Sequence, residues 1–231
     1  IGAQIRARRT NGLPDNRVRR RQRLMAGAEA LGSPLGDVEC DQMLSHLALL
    51  ERWNRAFNLS AVRDIDEMVS RHVLDSLCAA PYLAQGSLLD VGTGAGFPGL
   101  VLAIYQPTRP CVVLDSNGKK ARFCRQVVGE LGLQNVSVVA TRAEHYEPTN
   151  PVGTLITRAF SNLEAIVGLA TRLLTDGGRL VALRGPQAPA EVGALDLAER
   201  ATVHPVSVPG LEAARFVVTI DYARRVAERV S

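Results

Sequence analysis

The chain has 231 residues, 46% hydrophobic and 22% charged, the values of a globular protein with a sizeable core. Wholesale disorder, a collagen-like repeat and a disulfide scaffold are excluded. Of a net charge of +4, eight arginines lie within residues 1–23 beside one acid, Asp15, so the rest of the chain is slightly acidic.

Residues 1–23 therefore form an Arg-rich arm, expected to be disordered. It either grips RNA phosphates or is a non-native extension ahead of Met25, and the second reading is favoured. From Cys40 to Phe57, apolar residues recur at three- and four-residue steps, the stripe of an amphipathic helix. Trp53 and Phe57 sit on that stripe and are expected in the core. A second helix starts at Asp64, with Glu67 as capping-box partner, and Pro81 closes it. His72 falls on its apolar face and reads as a packed histidine with a polar partner, not a metal ligand.

Beyond residue 87 short apolar runs alternate with helix-length segments. Strands are expected at Leu88–Val91, Cys111–Leu114, Val136–Val139, Leu155–Thr157 and Leu180–Leu183, with helices near 98–106, 118–131 and 162–174. Such alternation implies a parallel sheet covered on both faces. Val203–Val208 and Arg215–Ile220 have no helix between them and suggest an antiparallel edge hairpin. The expected architecture is α/β: a helical cap over 24–84, then a Rossmann-like domain over 85–231. Four cysteines without a CxxC pair indicate buried thiols in a reducing compartment, and no zinc site. No stretch reaches the roughly 18 apolar residues of a membrane span. The first residues lack a signal peptide's apolar region, so a cytoplasmic location is expected.

Residues 88–99, Leu-Leu-Asp-Val-Gly-Thr-Gly-Ala-Gly-Phe-Pro-Gly, form a strand-to-helix turn. Glycines there permit positive φ and close approach of a ligand, at the strand ends where open α/β sheets bind ligands. Gly92, Gly94 and Gly96 make GxGxG, and Phe97 stands where a dinucleotide fingerprint has its third glycine. Asp90, two residues before Gly92, would repel a diphosphate and attract an ammonium group. That favours S-adenosylmethionine over a nicotinamide dinucleotide. Asp115 ends the second strand, where a carboxylate accepts ribose hydroxyls; Asp115-Ser-Asn-Gly also reads as a turn, and the ribose role is favoured.

Further motifs are Trp53-Asn54, Asn58-Leu59-Ser60, Arg71-His72-x-x-Asp75-Ser76, Leu114-Asp-Ser-x-Gly-Lys119, Arg142-Ala-Glu144, Thr157-Arg-Ala-Phe160 and Leu183-Arg-Gly185. With the Phe-Pro-Gly ending of the glycine turn, they make residues 43–221 resemble the small-subunit ribosomal RNA methyltransferase G (GidB) family. The resemblance implies a class I methyltransferase fold, a mostly parallel seven-stranded sheet with an antiparallel edge. It also implies S-adenosylmethionine as cofactor, S-adenosylhomocysteine as product, and N7 of one guanine in 16S rRNA as target. Family cofactor contacts fall on Gly92, Phe97, Ala143, Glu144 and Arg158, with Asp90 and Asp115 as amino-group and ribose contacts. Candidate RNA contacts are Lys119, Arg142, Arg184 and Arg215. Relatives commonly have lysine where this chain has Arg184, which keeps the charge and changes the donor geometry. N7 carries a lone pair and no proton, so no general base is expected and catalysis is alignment. The expected partner is 16S rRNA in the small subunit or an assembly intermediate, met by a monomer without a membrane. Two rivals remain: a non-catalytic assembly factor on the same fold, and a nicotinamide-dependent oxidoreductase.

Overall fold

The computed structural model describes residues 16–158, 162–195, 197 and 200–222. Helices α1 (Asn16–Ala30), α2 (Asp37–Phe57), α3 (Ile65–Met68) and α4 (Asp75–Leu77) precede the first strand, with a π-helical turn at Val69–Leu74 between the last two. Then come β1 (Leu88–Val91), α5 (Gly99–Tyr105), β2 (Cys111–Leu114), α6 (Gly118–Leu131), β3 (Val136–Val139) and β4 (Val152–Arg158). The chain continues through α7 (Leu163–Leu173), β5 (Leu174–Arg184), α8 (Ala188–Ala194), β6 (Ala201–Val206) and β7 (Arg215–Tyr222).

The strands make one sheet in the order β3-β2-β1-β4-β5-β7-β6. β7 runs antiparallel to both neighbours, and the other pairings are parallel. The expected strands and edge hairpin are all present, with β4 and β5 longer than their apolar runs. Gly153 of β4 packs on the backbone of Gln85 and Gly86, which leaves no room for a side chain there. Apolar continuity misses the start of β4 for that reason.

Each face of the sheet carries its own core. On one face Leu88, Val113 and Ile156 join α1–α6 through Leu24, Met43, Leu47, Leu74, Leu100 and Phe123; on the other, Leu89, Leu155 and Leu180 meet α7 and α8. The N-terminal helices thus share their core with the sheet. Phe57 departs from expectation: it is 43% exposed at the end of α2, while Trp53 packs beside Phe123 at 5.5 Å between centroids.

The boundary at residue 23 is corrected. Residues 16–23 belong to α1, which buries Leu24, Gly27 and Ala28. Gly27 lies so close to Leu74 that an added Cβ would fall 2.5 Å from its Cδ1. The arginines find fixed partners: Arg20 pairs with Asp66, Arg21 with Asp37 and Asp41, and Arg23 donates to Ser70 Oγ. A stripe built from one leucine and two small residues gives little periodic signal, so the helix reads as a charged tail. Residues 1–15 lie outside the described residues. Leu24→Ala is expected to cost about 2–5 kcal/mol in urea unfolding, as a core truncation does, whereas Arg21→Ala, losing only exposed pairs, barely moves the midpoint.

Asp64 caps α3 by accepting from Asp66 N at 2.9 Å. Glu67 pairs forward with Arg71 at 3.5 Å, which replaces the expected capping-box contact. The π-helical turn holds Arg71 and His72, directly before Asp75.

Candidate active site

The turn after β1 carries three left-handed glycines, Gly92 (φ 74°), Gly94 (φ 60°) and Gly96 (φ 90°). Gly92 N and Thr93 N donate to Leu114 O at 2.8 and 3.0 Å, which ties the turn to the end of β2. Around a Cβ position on Gly94 nothing lies within 4 Å, so this backbone faces open space. Gly96 is enclosed by Leu100 and His46. Gly92, Thr93, Gly94 and Phe97 line a crevice of about 190 Å³, closed opposite by Ser60, His72, Lys120 and Arg158.

Asp90 does not line it. The residue is fully buried and its Oδ2 accepts from Gly99 N at 2.7 Å, capping the start of α5. A Cβ on residue 99 would fall 2.6 Å from that oxygen, which is why the turn ends in Pro-Gly. Burial raises the Asp90 carboxyl to about 6. The expected direct contact with an ammonium group is therefore corrected to support of the turn from beneath. Asp115 is 7% exposed; its Oδ2 accepts from Gly94 N at 2.9 Å and its Oδ1 from Asn117 N at 2.8 Å. The turn reading of Asp115-Ser-Asn-Gly is met, and the same carboxylate faces the glycine loop. The cap of α6 is Asn117, which accepts from Lys119 N and Lys120 N.

Phe97 stacks between two imidazoles, His46 at 4.6 Å and His72 at 4.7 Å between centroids. Arg158 lies over the same ring, its Cζ 5.3 Å from the centroid. His46 Nε2 donates to Ala95 O at 2.8 Å; His72 Nδ1 donates to Arg71 O at 3.0 Å, and its Nε2 meets Ser60 Oγ at 2.8 Å. Burial lowers both histidines to about 4, helped at His72 by the Arg158 charge. Both rings are neutral packing elements, as His72 was read.

Beyond His72 and Arg158 the crevice adjoins a second cavity of about 550 Å³. Three arginines from adjacent strand ends face it: Arg158 from β4, Arg184 from β5 and Arg215 from β7. Asp75, 1% exposed, binds two of them, with Arg158 Nη1 at 3.1 Å from Oδ2 and Arg215 Nε at 2.5 Å from Oδ1. Arg184 Nε stands 3.6 Å from Glu191 Oε2.

The remaining candidates are less central. Ala143 is buried and Glu144 exposed in a 3-10 turn after β3, where Arg172 Nη2 donates to Ala143 O at 2.9 Å. Arg142 and Lys119 are exposed and line neither cavity. Lys120, not Lys119, faces the crevice, with Nζ 4.0 Å from Asp115 Oδ2. Ala159 and Phe160 of the Thr-Arg-Ala-Phe run lie outside the described residues. Sequence reading assigns no role to His46, Lys120 or Glu191, and offers Asp75 or a backbone carbonyl as partner of His72; of the two the partner is the Arg71 carbonyl, and Asp75 binds arginines instead. For Asp75 the signal was present, three residues after His72 and so on the same helical face.

A seven-stranded sheet with one reversed strand, a glycine turn after β1 and an acidic residue ending β2 define a class I S-adenosylmethionine-dependent methyltransferase. The solved O-methyltransferase TomG of Streptomyces achromogenes, in complex with SAM, shares this fold: TM-score 0.56, 17% identity, 87% of this chain and 96% of TomG covered. A model of the rRNA small subunit methyltransferase G (GidB) family matches residues 39–218, and the chain belongs to that family. Ribosomal RNA small subunit methyltransferase G of Alkalilimnicola ehrlichii is 45% identical over 85% of this chain and 90% of its own length. The corresponding protein of Methylobacillus flagellatus is 44% identical, over 85% and 96%. The protein is an enzyme that takes S-adenosylmethionine as its methyl donor. The open backbone at Gly94, beside the Asp115 carboxylate, fits such a nucleoside. Among the described residues no helix is long and apolar enough to cross a membrane, and no His/Cys/Asp/Glu group could hold a metal.

Proposed function

We propose that the chain methylates N7 of one guanine in 16S rRNA, within the small ribosomal subunit or an assembly intermediate, and acts as a monomer. The observation that carries this reading is the junction of crevice and cavity at His72 and Arg158, beside Arg184 and Arg215. S-Adenosylmethionine, when bound, supplies an electrophilic methyl group on a sulfonium. Gly92, Gly94, Gly96, Phe97, Asp115, Ala143, Glu144 and Arg158 hold it, and Asp90 supports them through Gly99.

The guanine N7 lone pair needs no base to expose it. The protein's work is to align that lone pair with the methyl group and to keep water out, which is the proximity argument. Phe97, stacked on two rings and crossed by Arg158, backs His72 and Arg158, the two residues that line both crevice and cavity. The purine becomes cationic as it is methylated, and Asp75 balances the charge of the arginines around it. Arg184 and Arg215 meet the RNA at the cavity, while Lys119 and Arg142 engage phosphates farther out. The target base must leave its stack to enter, as for other base-modifying enzymes.

Small subunits from cells lacking this gene, given the protein and methyl-labelled cofactor, are expected to yield N7-methylguanosine at one nucleotide of 16S rRNA after digestion. Label in a different nucleoside would overturn the assigned target.

A further inference from the structure

We propose that Glu191 and Arg184 form the guanine-reading end of the larger cavity, with the carboxylate accepting from N1–H and the exocyclic N2 amino group. Arg184 ends β5 and Glu191 follows on α8, across a tight Gly185-Pro186-Gln187 turn. Both line the cavity that joins the crevice through His72 and Arg158. Arg184 Nε stands 3.6 Å from Glu191 Oε2, an ion pair longer than a hydrogen bond, at the wall of the cavity. A carboxylate 38% exposed on the cavity wall keeps lone pairs for a ligand that brings donors.

Guanine brings the matching pattern. On its Watson–Crick edge O6 accepts, while N1 and N2 donate; adenine offers a donor at N6 and an acceptor at N1. A carboxylate beside a guanidinium therefore complements guanine and opposes adenine. The edge read here lies across the purine from N7. With that edge at Glu191, N7 points back towards His72, Arg158 and the crevice. The same two residues thus choose the base and set its orientation. Asp75 is placed otherwise, 1% exposed and ion-paired to Arg158 and Arg215, whereas Glu191 is 38% exposed.

This inference rests on the guanine-N7 reading, and its test separates the two. Small subunits are reconstituted with guanosine or inosine at the methylated position; inosine keeps N1–H and N7 and lacks the N2 amino group. The wild-type protein is expected to favour guanosine in kcat/KM by roughly ten-fold or more, the loss that follows one charge-assisted hydrogen bond. Glu191→Gln and Glu191→Ala are expected to bring that ratio close to one, with cofactor affinity by calorimetry unchanged. Glu191→Gln keeps size and helix propensity, so it carries the test should Glu191→Ala fold poorly. A guanosine preference retained in Glu191→Gln, or absent from the wild type, overturns the role of Glu191 and leaves N7 methylation standing. Failure of the wild type to form N7-methylguanosine on guanosine subunits overturns both.

Discussion

Replacing Asp75 with asparagine is expected to slow methyl transfer by roughly a hundred-fold or more, about 2.7 kcal/mol on the barrier. The carboxylate is 1% exposed and contacts Arg158 and Arg215, whose side chains are only 18% and 21% exposed. Removing one member of such a cluster leaves uncompensated charge, a loss of about 3–5 kcal/mol where a buried pair is broken. Asparagine preserves the volume and a hydrogen-bonding oxygen, so the change is one of charge. Arg158 and Arg215 then repel each other, Arg158 loses one of its anchors beside Phe97, and the cavity becomes more positive where the methylated purine gains its own positive charge. The loss should appear in turnover with saturating cofactor as well as in the affinity for subunits. Thermal unfolding should shift downward in the same variant. Activity within a few-fold of wild type would show that Asp75 does not organise the two arginines.

Much of the sheet was legible because buried parallel strands leave an apolar signature and their crossovers a helical one. The glycine turn was legible for a related reason: positive φ at Gly92, Gly94 and Gly96 restricts residue choice, so the geometry is written in the composition. What escaped is what depends on distant packing. His46 lies on the apolar stripe of α2, where nothing in its neighbours announces a ring stacked on Phe97, 51 positions on. Asp90 shows the opposite failure. Charge reasoning placed its carboxylate before a ligand, whereas on the buried strand Oδ2 accepts from Gly99 N and holds the turn, and Oδ1 has no hydrogen bond. In α1 the arginines read as a disordered extension, while their partners Asp37, Asp41 and Asp66 lie on other helices. The cavity arginines were found singly through their motifs. The carboxylate shared by Arg158 and Arg215 became visible only when the π-helical turn, β4 and β7 were brought together.

The two imidazoles that hold Phe97 make the fold sensitive to acid. His46 and His72 are both lowered from 6.5 to about 4, first by burial and at His72 then by the Arg158 charge. The unfolded chain takes up protons that the folded one refuses, so their contribution is complete above pH 6.5 and is lost as pH falls towards 4. At roughly 1.4 kcal/mol per pH unit, each imidazole withdraws about 3 kcal/mol. Asp90 acts with the opposite sign. Burial raises it from 3.8 to about 6, so the folded state keeps a proton that the unfolded state releases, and this group favours folding as pH falls through that window. Its contribution, about 3 kcal/mol, offsets one imidazole. Urea unfolding is therefore expected to show these groups lowering stability by about 3 kcal/mol between pH 6.5 and 4. His46→Gln should flatten the dependence, since one imidazole then faces Asp90 alone. Asp90→Asn should steepen it, because both imidazoles act unopposed. Equal slopes in the wild type and both variants would mean that the Phe97 stack and the carboxylate beneath it do not set the acid response.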